Sequence, residues 1–511
     1  MELGVQDVIV YGSLTLVLGW LLHMNYRWMN PPCNGRLPPG SMGLPLIGET
    51  FQILKRSYSF DIPDYFKLRM KRYGLLFKSS FVGQPVVFCM DPEVSRFIFQ
   101  QEDKLFRSWY PETLNRIVGK KTFSIAYGDV HKHARAMAAP IYAPKHLKEA
   151  FIVEIESIIT DSLRTWADEP SIELKEAVNN MMFDLMIKKL IGFEPGNPKT
   201  MELRKNIIMF FKGLISFPLY FPGTKFYQSM KARKIVQKMI RDLLKQRTRE
   251  PEKENGDFLD IVVQELQSER DLMDEDFMVD FVAGLIFASI ALTPTVIAVG
   301  MKLLTDNPNV VEALTLEKLE HPCVLTSGIE FLLSACTHQA LTNNDPPLQE
   351  EHTKILENRH DTNSKITWEE YKSMKFTSQV INEIARLSSH SLGIFRKTLK
   401  DVEVNGYTIP AGWLVMISPM SIHLNPQIFE DPLTFNPWRW KGESSLLKNF
   451  MPFGNGKRQC LGSDFTKLEI ALFLHVLVTK YRWREIKGGE VYRVSELIYP
   501  QDHHIQLIPK V

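Results

Sequence analysis

Cysteine is scarce in this chain: five residues in 511, at positions 33, 89, 323, 336 and 460, odd in number and far apart. That distribution argues against a disulfide framework and points to a reducing compartment. Net charge is nearly absent too, with 61 Lys+Arg against 59 Asp+Glu for a balance of +2. A protein that neutralises many phosphates needs a large basic field, so no nucleic acid is expected as the main partner. Internal repeats and low-complexity tracts are missing, which removes solenoid and disordered architectures.

Long uncharged apolar runs are also few, and one of them stands near the N-terminus. Val8 to Met24 (VIVYGSLTLVLGWLLHM) has no charge over 17 residues, just long enough for a helix to span a bilayer. Glu2 and Asp7 precede it and Arg27 and Arg36 follow it, the reverse of the positive start of a cleaved signal. The expectation is a retained anchor over residues 1–27, with the rest of the chain on the cytosolic side. Residues 28–50 hold Pro31, Pro32, Pro38, Pro39 and Pro45 with four glycines. Proline fixes φ and glycine permits tight turns, so this stretch reads as a stiff hinge before one domain over 51–511.

The remainder reads as helices broken by short extended pieces. Ser59 to Tyr73 has helical spacing, while Leu75 to Phe81 and Gln84 to Cys89 read as a hairpin turning at Gly83. Helical patterns dominate from Leu147 to Leu244, interrupted at Phe217 to Gly223. Asp274 to Leu304 is one long segment with few charges after Asp280, too apolar all round for a surface helix and suited to the centre of a core. Val402 to Val415 reads as two short strands around a turn. The fold class expected is mainly α with a minor β portion (α+β).

Most of the legible chemistry lies in Phe453-Gly-Asn-Gly456-Lys-Arg458-Gln-Cys460-Leu-Gly462, which runs into helical periodicity from Ser463 to Lys480. A cysteine just before a helix has its thiolate favoured by the dipole and free N–H groups of the helix start. Gly456 and Gly462 let backbone approach a flat ligand where a Cβ would collide. Arg458 is placed to meet an anionic group on that ligand. A merely structural cysteine would leave Phe453, Arg458 and both glycines unexplained. The ten residues resemble the heme-binding signature of the cytochrome P-450 family at every defining position. The resemblance implies the cytochrome P-450 fold, heme b as cofactor, Cys460 as the iron's axial ligand, and electrons from NADPH through a reductase anchored in the same endoplasmic reticulum membrane.

Upstream, Glu383 and Arg386 stand at i, i+3 on one helical face. Such a pair alone is an ordinary solvated face, but Phe435-Asn-Pro437-Trp-Arg439-Trp looks like the family's second arginine motif. By that resemblance Glu383, Arg386 and Arg439 form an ion network that locks the cysteine loop and performs no chemistry. Trp438 replaces the family's glutamate, a change expected to be harmless. His131 and Arg135 match the family's heme-propionate position on an early helix, and Arg396 corresponds to a strand arginine of the same role. Trp368 to Phe376 and Asn449 to Phe453 look like the plant clan that oxidises sterols and triterpenoids, closest to family eighty-seven. Segments that line the pocket in that family include Trp109, Tyr110, Phe123, Phe210, Phe211, Leu214 and Phe217. Others are Ala288, Leu292, Leu392, Ile394, Leu497, Ile498 and Tyr499, together compatible with a bulky hydrophobic small molecule.

Two departures from the family pattern stand out. On the central helix Ala291 replaces the usual acid and Leu292 the usual alcohol, with Thr293 one residue later. Ser289 and Thr293 share a face at i, i+4, so their hydroxyls either orient a water for proton delivery or cap the helix's own carbonyls. Pro294 lacks an N–H for the Ile290 carbonyl and should bend the helix. The second departure is Leu316 to Gln349, an insertion relative to the family, read either as an intron carried into the sequence or as a surface insertion. Two function classes follow. One is a membrane-bound monooxygenase of terpenoid or steroid skeletons; the other is a heme protein with altered or lost oxygen activation.

Overall fold

The computed structural model describes residues 5–510 except 46, 120–121, 124, 149, 195–196, 214–215, 217–218, 251–255, 270–271, 316–350, 360, 362–363, 389–392, 443 and 496. Leu214, Phe217, Leu392 and the expected insertion 316–349 therefore lie outside the described residues.

A helix over Val5–Met29 comes first, and its Leu14, Leu16, Leu18, Trp20 and Leu22 are all exposed. The proline-rich stretch after it docks on the domain by backbone pairing. Lys78 N–H donates to the Pro39 carbonyl at 2.8 Å and Thr408 N–H to the Arg36 carbonyl at 2.7 Å. The main sheet has five strands in the order Leu76–Phe81, Gln84–Cys89, Leu414–Ile417, Ile394–Thr398, Phe106–Ser108. Its hairpin turns through Val82 (φ 51°) and Gly83 (φ 71°), with Phe81 paired to Gln84. Positive φ at both turn positions matches the right-handed twist of the strands, which is what the glycine permits. The helix expected from Ser59 starts only at Asp64, with Pro63 as its N-cap. Proline disfavours helical backbone at the residue before it, so Ile62 cannot belong to the helix.

The central apolar segment forms two helices, Glu275–Ala291 and Thr293–Asp306. Asp274 caps the first by accepting from Phe277 N–H at 2.8 Å. Its length and hydropathy would suit a membrane span, but most of it is buried inside the protein. The break falls at Leu292, just ahead of Pro294 in the first turn of the second helix, because proline offers no N–H to the carbonyl four residues back. This pair of helices packs on Leu174–Ile191, where Val178, Met182, Leu185, Met186 and Leu190 face the core. Phe281 is fully buried against Phe258 and Phe277. Its truncation to alanine would cost about 3–5 kcal/mol.

Candidate active site

The cysteine loop is a closed turn. Cys460 N–H donates to the Phe453 carbonyl at 2.9 Å and Gln459 N–H to the Gly456 carbonyl at 3.1 Å. Gly456 has φ +69°, and a Cβ there would lie 2.9 Å from the Phe99 carbonyl oxygen, so both the turn and the neighbour require glycine. At Gly462 a Cβ would only reach ordinary contact with the Tyr142 ring at 3.7 Å. Phe453 lies beneath the ammonium of Lys467, 5.7 Å from the ring centre. The helix Ser463–Lys480 follows at once, and the Gly462 amide lowers the pKa of the Cys460 thiol. Cys460 is exposed by surface area, yet burial is the largest influence on its thiol and pushes it up, while the Gly462 amide and Arg135 pull it down.

Around the loop the early helix Gly128–Tyr142 carries His131 and Arg135 one turn apart. Arg135 Nη1 donates to the Gln459 carbonyl at 2.8 Å. His131 stacks on Phe123 with ring centres 4.9 Å apart, and burial, reinforced by Arg458 and Arg135, pushes its pKa down to about 4. It therefore contributes a neutral ring at pH 7. Arg396 and Arg458 converge on Glu102, a buried carboxylate that sequence reading missed. Arg396 Nε donates to Glu102 Oε2 at 2.5 Å, and Arg458 Nε lies 3.3 Å from Glu102 Oε1. Glu102 also accepts from the amide and hydroxyl of Ser108, whose strand pairs Ser108 with Arg396. Nothing local marks Glu102, because its partners are close only through the sheet.

Behind the loop, Glu383 is completely buried and collects five donors. Arg386 gives Nε and Nη2 at 2.9 and 2.8 Å, Arg439 Nε comes at 3.0 Å, Asn436 N–H at 3.1 Å and Trp440 Nε1 at 3.0 Å. The three residues singled out in the sequence do meet, and Asn436 and Trp440 join them. Arg386 and Arg439 spend their other N–H groups on carbonyls of residues 423–434. Trp438 points elsewhere and packs on Phe376.

On the central helix Ala288 and Leu292 are exposed, while Ser289 and Thr293 are buried. Ser289 Oγ donates to the Leu285 carbonyl at 2.8 Å and lies 2.8 Å from the Tyr142 hydroxyl, which leaves Tyr142 as the donor of that pair. Ser289 thus adopts the capping arrangement, and Thr293 sits in the first turn of the next helix. Trp109 packs on Phe395, and Tyr110 receives Asn115 on its carbonyl. Ile394 touches the cysteine loop where a Cβ at Gly454 would stand 3.6 Å away, and Ile498 is buried on the C-terminal strand Leu497–Pro500.

A cysteine loop bonded by Arg135, carrying Arg458 and joined to Arg396 through Glu102, is the arrangement of a heme-thiolate protein. Residues 38–321 and 343–504 match the family model Cytochrome P450, and the chain belongs to the cytochrome P450 monooxygenase family. It is 46% identical to Cytochrome P450 87A3 of Oryza sativa subsp. japonica, covering 96% of this chain and 89% of that one. It is 37% identical to Beta-amyrin 16-alpha-hydroxylase CYP87D16 of Maesa lanceolata (95% of each chain). It is 35% identical to Cucurbitadienol 11-hydroxylase of Siraitia grosvenorii (98% of this chain, 99% of that one). Among solved structures, retinoic acid bound cyanobacterial CYP120A1 superposes with a TM-score of 0.77 at 23% identity, over 93% of this chain and all of that one, and so shares the fold.

The family's cofactor is heme, and the donor set fits it. Cys460 offers a thiol whose pKa the Gly462 amide and Arg135 lower, and Ala288 presents a small exposed side chain on the central helix. Arg135, Arg396 and Arg458 less Glu102 leave two positive charges (3 − 1 = 2), which balances two carboxylates.

Proposed function

We propose that this chain is a membrane-anchored monooxygenase that inserts oxygen from O2 into a bulky terpenoid or steroid skeleton, using heme b and electrons from NADPH through a partner reductase. The observation that carries the reading is the Cys460 loop closed by Phe453, Gly456 and Gly462 and backed by the Glu383 cluster. When bound, the heme supplies oxygen activation at an iron whose thiolate ligand donates electron density. Cys460 is the residue that holds the iron; Arg135, Arg396 and Arg458, with His131, hold the propionates. Glu383, Arg386 and Arg439 keep the loop in shape. Relatives named as hydroxylases of β-amyrin and cucurbitadienol support the substrate class. The apolar helix Val5–Met29 supports a single-pass anchor in the endoplasmic reticulum membrane with the domain facing the cytosol, since so much exposed apolar surface calls for lipid. The family match stops at 321 and resumes at 343, which supports reading 316–349 as an insertion.

One observation favours a second reading, a heme protein with altered oxygen activation. Leu292 gives an apolar side chain where the family has an alcohol, and the Ser289 hydroxyl is spent on Leu285. Thr293 is then the hydroxyl left to serve proton delivery. A reduced carbon-monoxide difference spectrum of the parent and of Cys460→Ser tests the thiolate assignment; a serine variant that kept the thiolate Soret band would sink it. NADPH consumption with product formation in the presence of reductase supports the monooxygenase, and a normal spectrum with no oxygen-dependent turnover supports the second reading.

A further inference from the structure

A cavity lies between the helices Pro198–Lys212, Lys225–Arg249 and Glu275–Ala291. Its lining combines apolar Ile207, Phe210 and Phe287 with polar Arg233, Gln237 and Asp280. It is small, with room for about one water-sized group. Asp280 is fully engaged. Arg233 Nη2 donates to both its oxygens at 2.9 and 2.7 Å, and Gln237 Nε2 donates to Oδ1 at 2.6 Å. Gly119 presses on the same carboxylate, at φ +119°, where a Cβ would overlap it. Two groups remain. Among the described residues Arg233 Nε is buried without a partner, and Gln237, whose amide nitrogen goes to Asp280, has its carbonyl oxygen as an acceptor. A buried orphan donor costs free energy unless something occupies it.

From this we infer that Arg233 and Gln237 form a hydroxyl-binding recess that holds the polar end of the substrate. The inference rests on the terpenoid or steroid reading above and names the contact by which such a skeleton is oriented. An alcohol both donates and accepts, matching one acceptor and one donor; a ketone only accepts, and a hydrocarbon does neither. The Arg233–Asp280 pair is electrically neutral as a unit, which suits a neutral hydroxyl better than an anion. The recess also sets a length. Ala288 stands eight residues beyond Asp280 on the same helix, about 12 Å at 1.5 Å per residue. That span is comparable with the long dimension of a fused-ring skeleton. A hydroxyl seated at Arg233 therefore brings the opposite end of the skeleton to the level of Ala288 on the central helix.

The test is a spectral titration of the heme-loaded, full-length protein, following the Soret shift on adding cholesterol, its 3-ketone and the 3-deoxy hydrocarbon, and likewise β-amyrin and its 3-ketone. The parent should bind each alcohol at least tenfold tighter than the hydrocarbon, with the ketones between. Gln237→Leu leaves the Arg233–Asp280 pair in place; it should cut that preference to within twofold while the hydrocarbon binds as before and the carbon-monoxide spectrum is unchanged. Equal binding of alcohol and hydrocarbon by the parent, or a preference that survives in Gln237→Leu, overturns the recess and leaves the substrate class standing. No shift with any of these probes would overturn both.

Discussion

Glu102 and Arg396 stand 294 residues apart in the chain and meet through a 2.5 Å Nε···Oε2 hydrogen bond, almost entirely out of water. Arg458 takes the other oxygen, so one carboxylate separates two guanidiniums that would otherwise repel each other. Glu102→Ala should destabilise the apoprotein by about 3–5 kcal/mol, the usual penalty for a buried charge that loses its partner. Heme propionates restore part of the missing negative charge, so the gap in thermal midpoint between loaded and unloaded protein should widen. Equal midpoints for parent and variant without heme would contradict this role.

Glu383→Ala removes the acceptor shared by Arg386, Arg439 and Trp440 and should also cost about 3–5 kcal/mol. Trp440→Phe withdraws a single donor to a charged group and should cost about 1.5–3 kcal/mol. The ratio of heme to protein after purification is the measurement, and it should fall in the order parent, Trp440→Phe, Glu383→Ala. Full loading of Glu383→Ala with slow turnover would instead give the glutamate a chemical role.

Thr293→Ala should uncouple the reaction, with NADPH consumed and peroxide released but little product made. Loss of one positioned proton donor costs roughly 10²–10⁴-fold in the assisted step. Substrate binding should survive, since Thr293 is buried in the first turn of its helix and a hydroxyl alone is lost. Unchanged coupling would leave Thr293 a packing residue.

Acid should weaken the protein through its buried histidines. His423 accepts the Met451 amide on Nε2 at 3.0 Å just ahead of the cysteine loop, and burial, reinforced by Arg386, lowers its pKa to about 3. His475 is lowered to about 3 by burial as well. An unfolded histidine takes its proton near pH 6.5. Between pH 6.5 and 3 the unfolded chain therefore binds more protons than the folded one, and stability falls as pH falls through that window. Melting curves followed by heme absorbance should drop in midpoint below pH 6.5. His423→Gln keeps an acceptor and removes one titration, so its slope should be shallower; an identical slope would exclude His423 as a contributor.

What the sequence made legible is local. The cysteine loop, the Glu383–Arg386 spacing and the hairpin at Gly83 each lie within a few residues and follow from turn, helix and strand geometry. The burial of the central apolar segment follows from its composition, and Pro294 marks its break into two helices. The contacts that escaped notice are those between segments far apart. Glu102 with Arg458, Tyr142 with Ser289 and Arg233 with Asp280 exist because sheet pairing and helix packing bring them together. No periodicity or spacing encodes such pairs, and a buried acid such as Glu102 looks in sequence like any surface glutamate.

The position of Glu102 also bears on the order of events at the ribosome. Arg396 and Arg458 are synthesised long after it, so for most of translation this acid has none of the guanidiniums that later enclose it. The helices between residues 174 and 291 pack mainly on one another and are free to form early, whereas strand pairing of Phe106–Ser108 with Ile394–Thr398 waits for the last quarter of the chain. Loading of the prosthetic group thus belongs to the finished polypeptide. A chain released before Arg458 emerges would hold Glu102 with Arg396 alone, and would lack both Cys460 and the helix Ser463–Lys480.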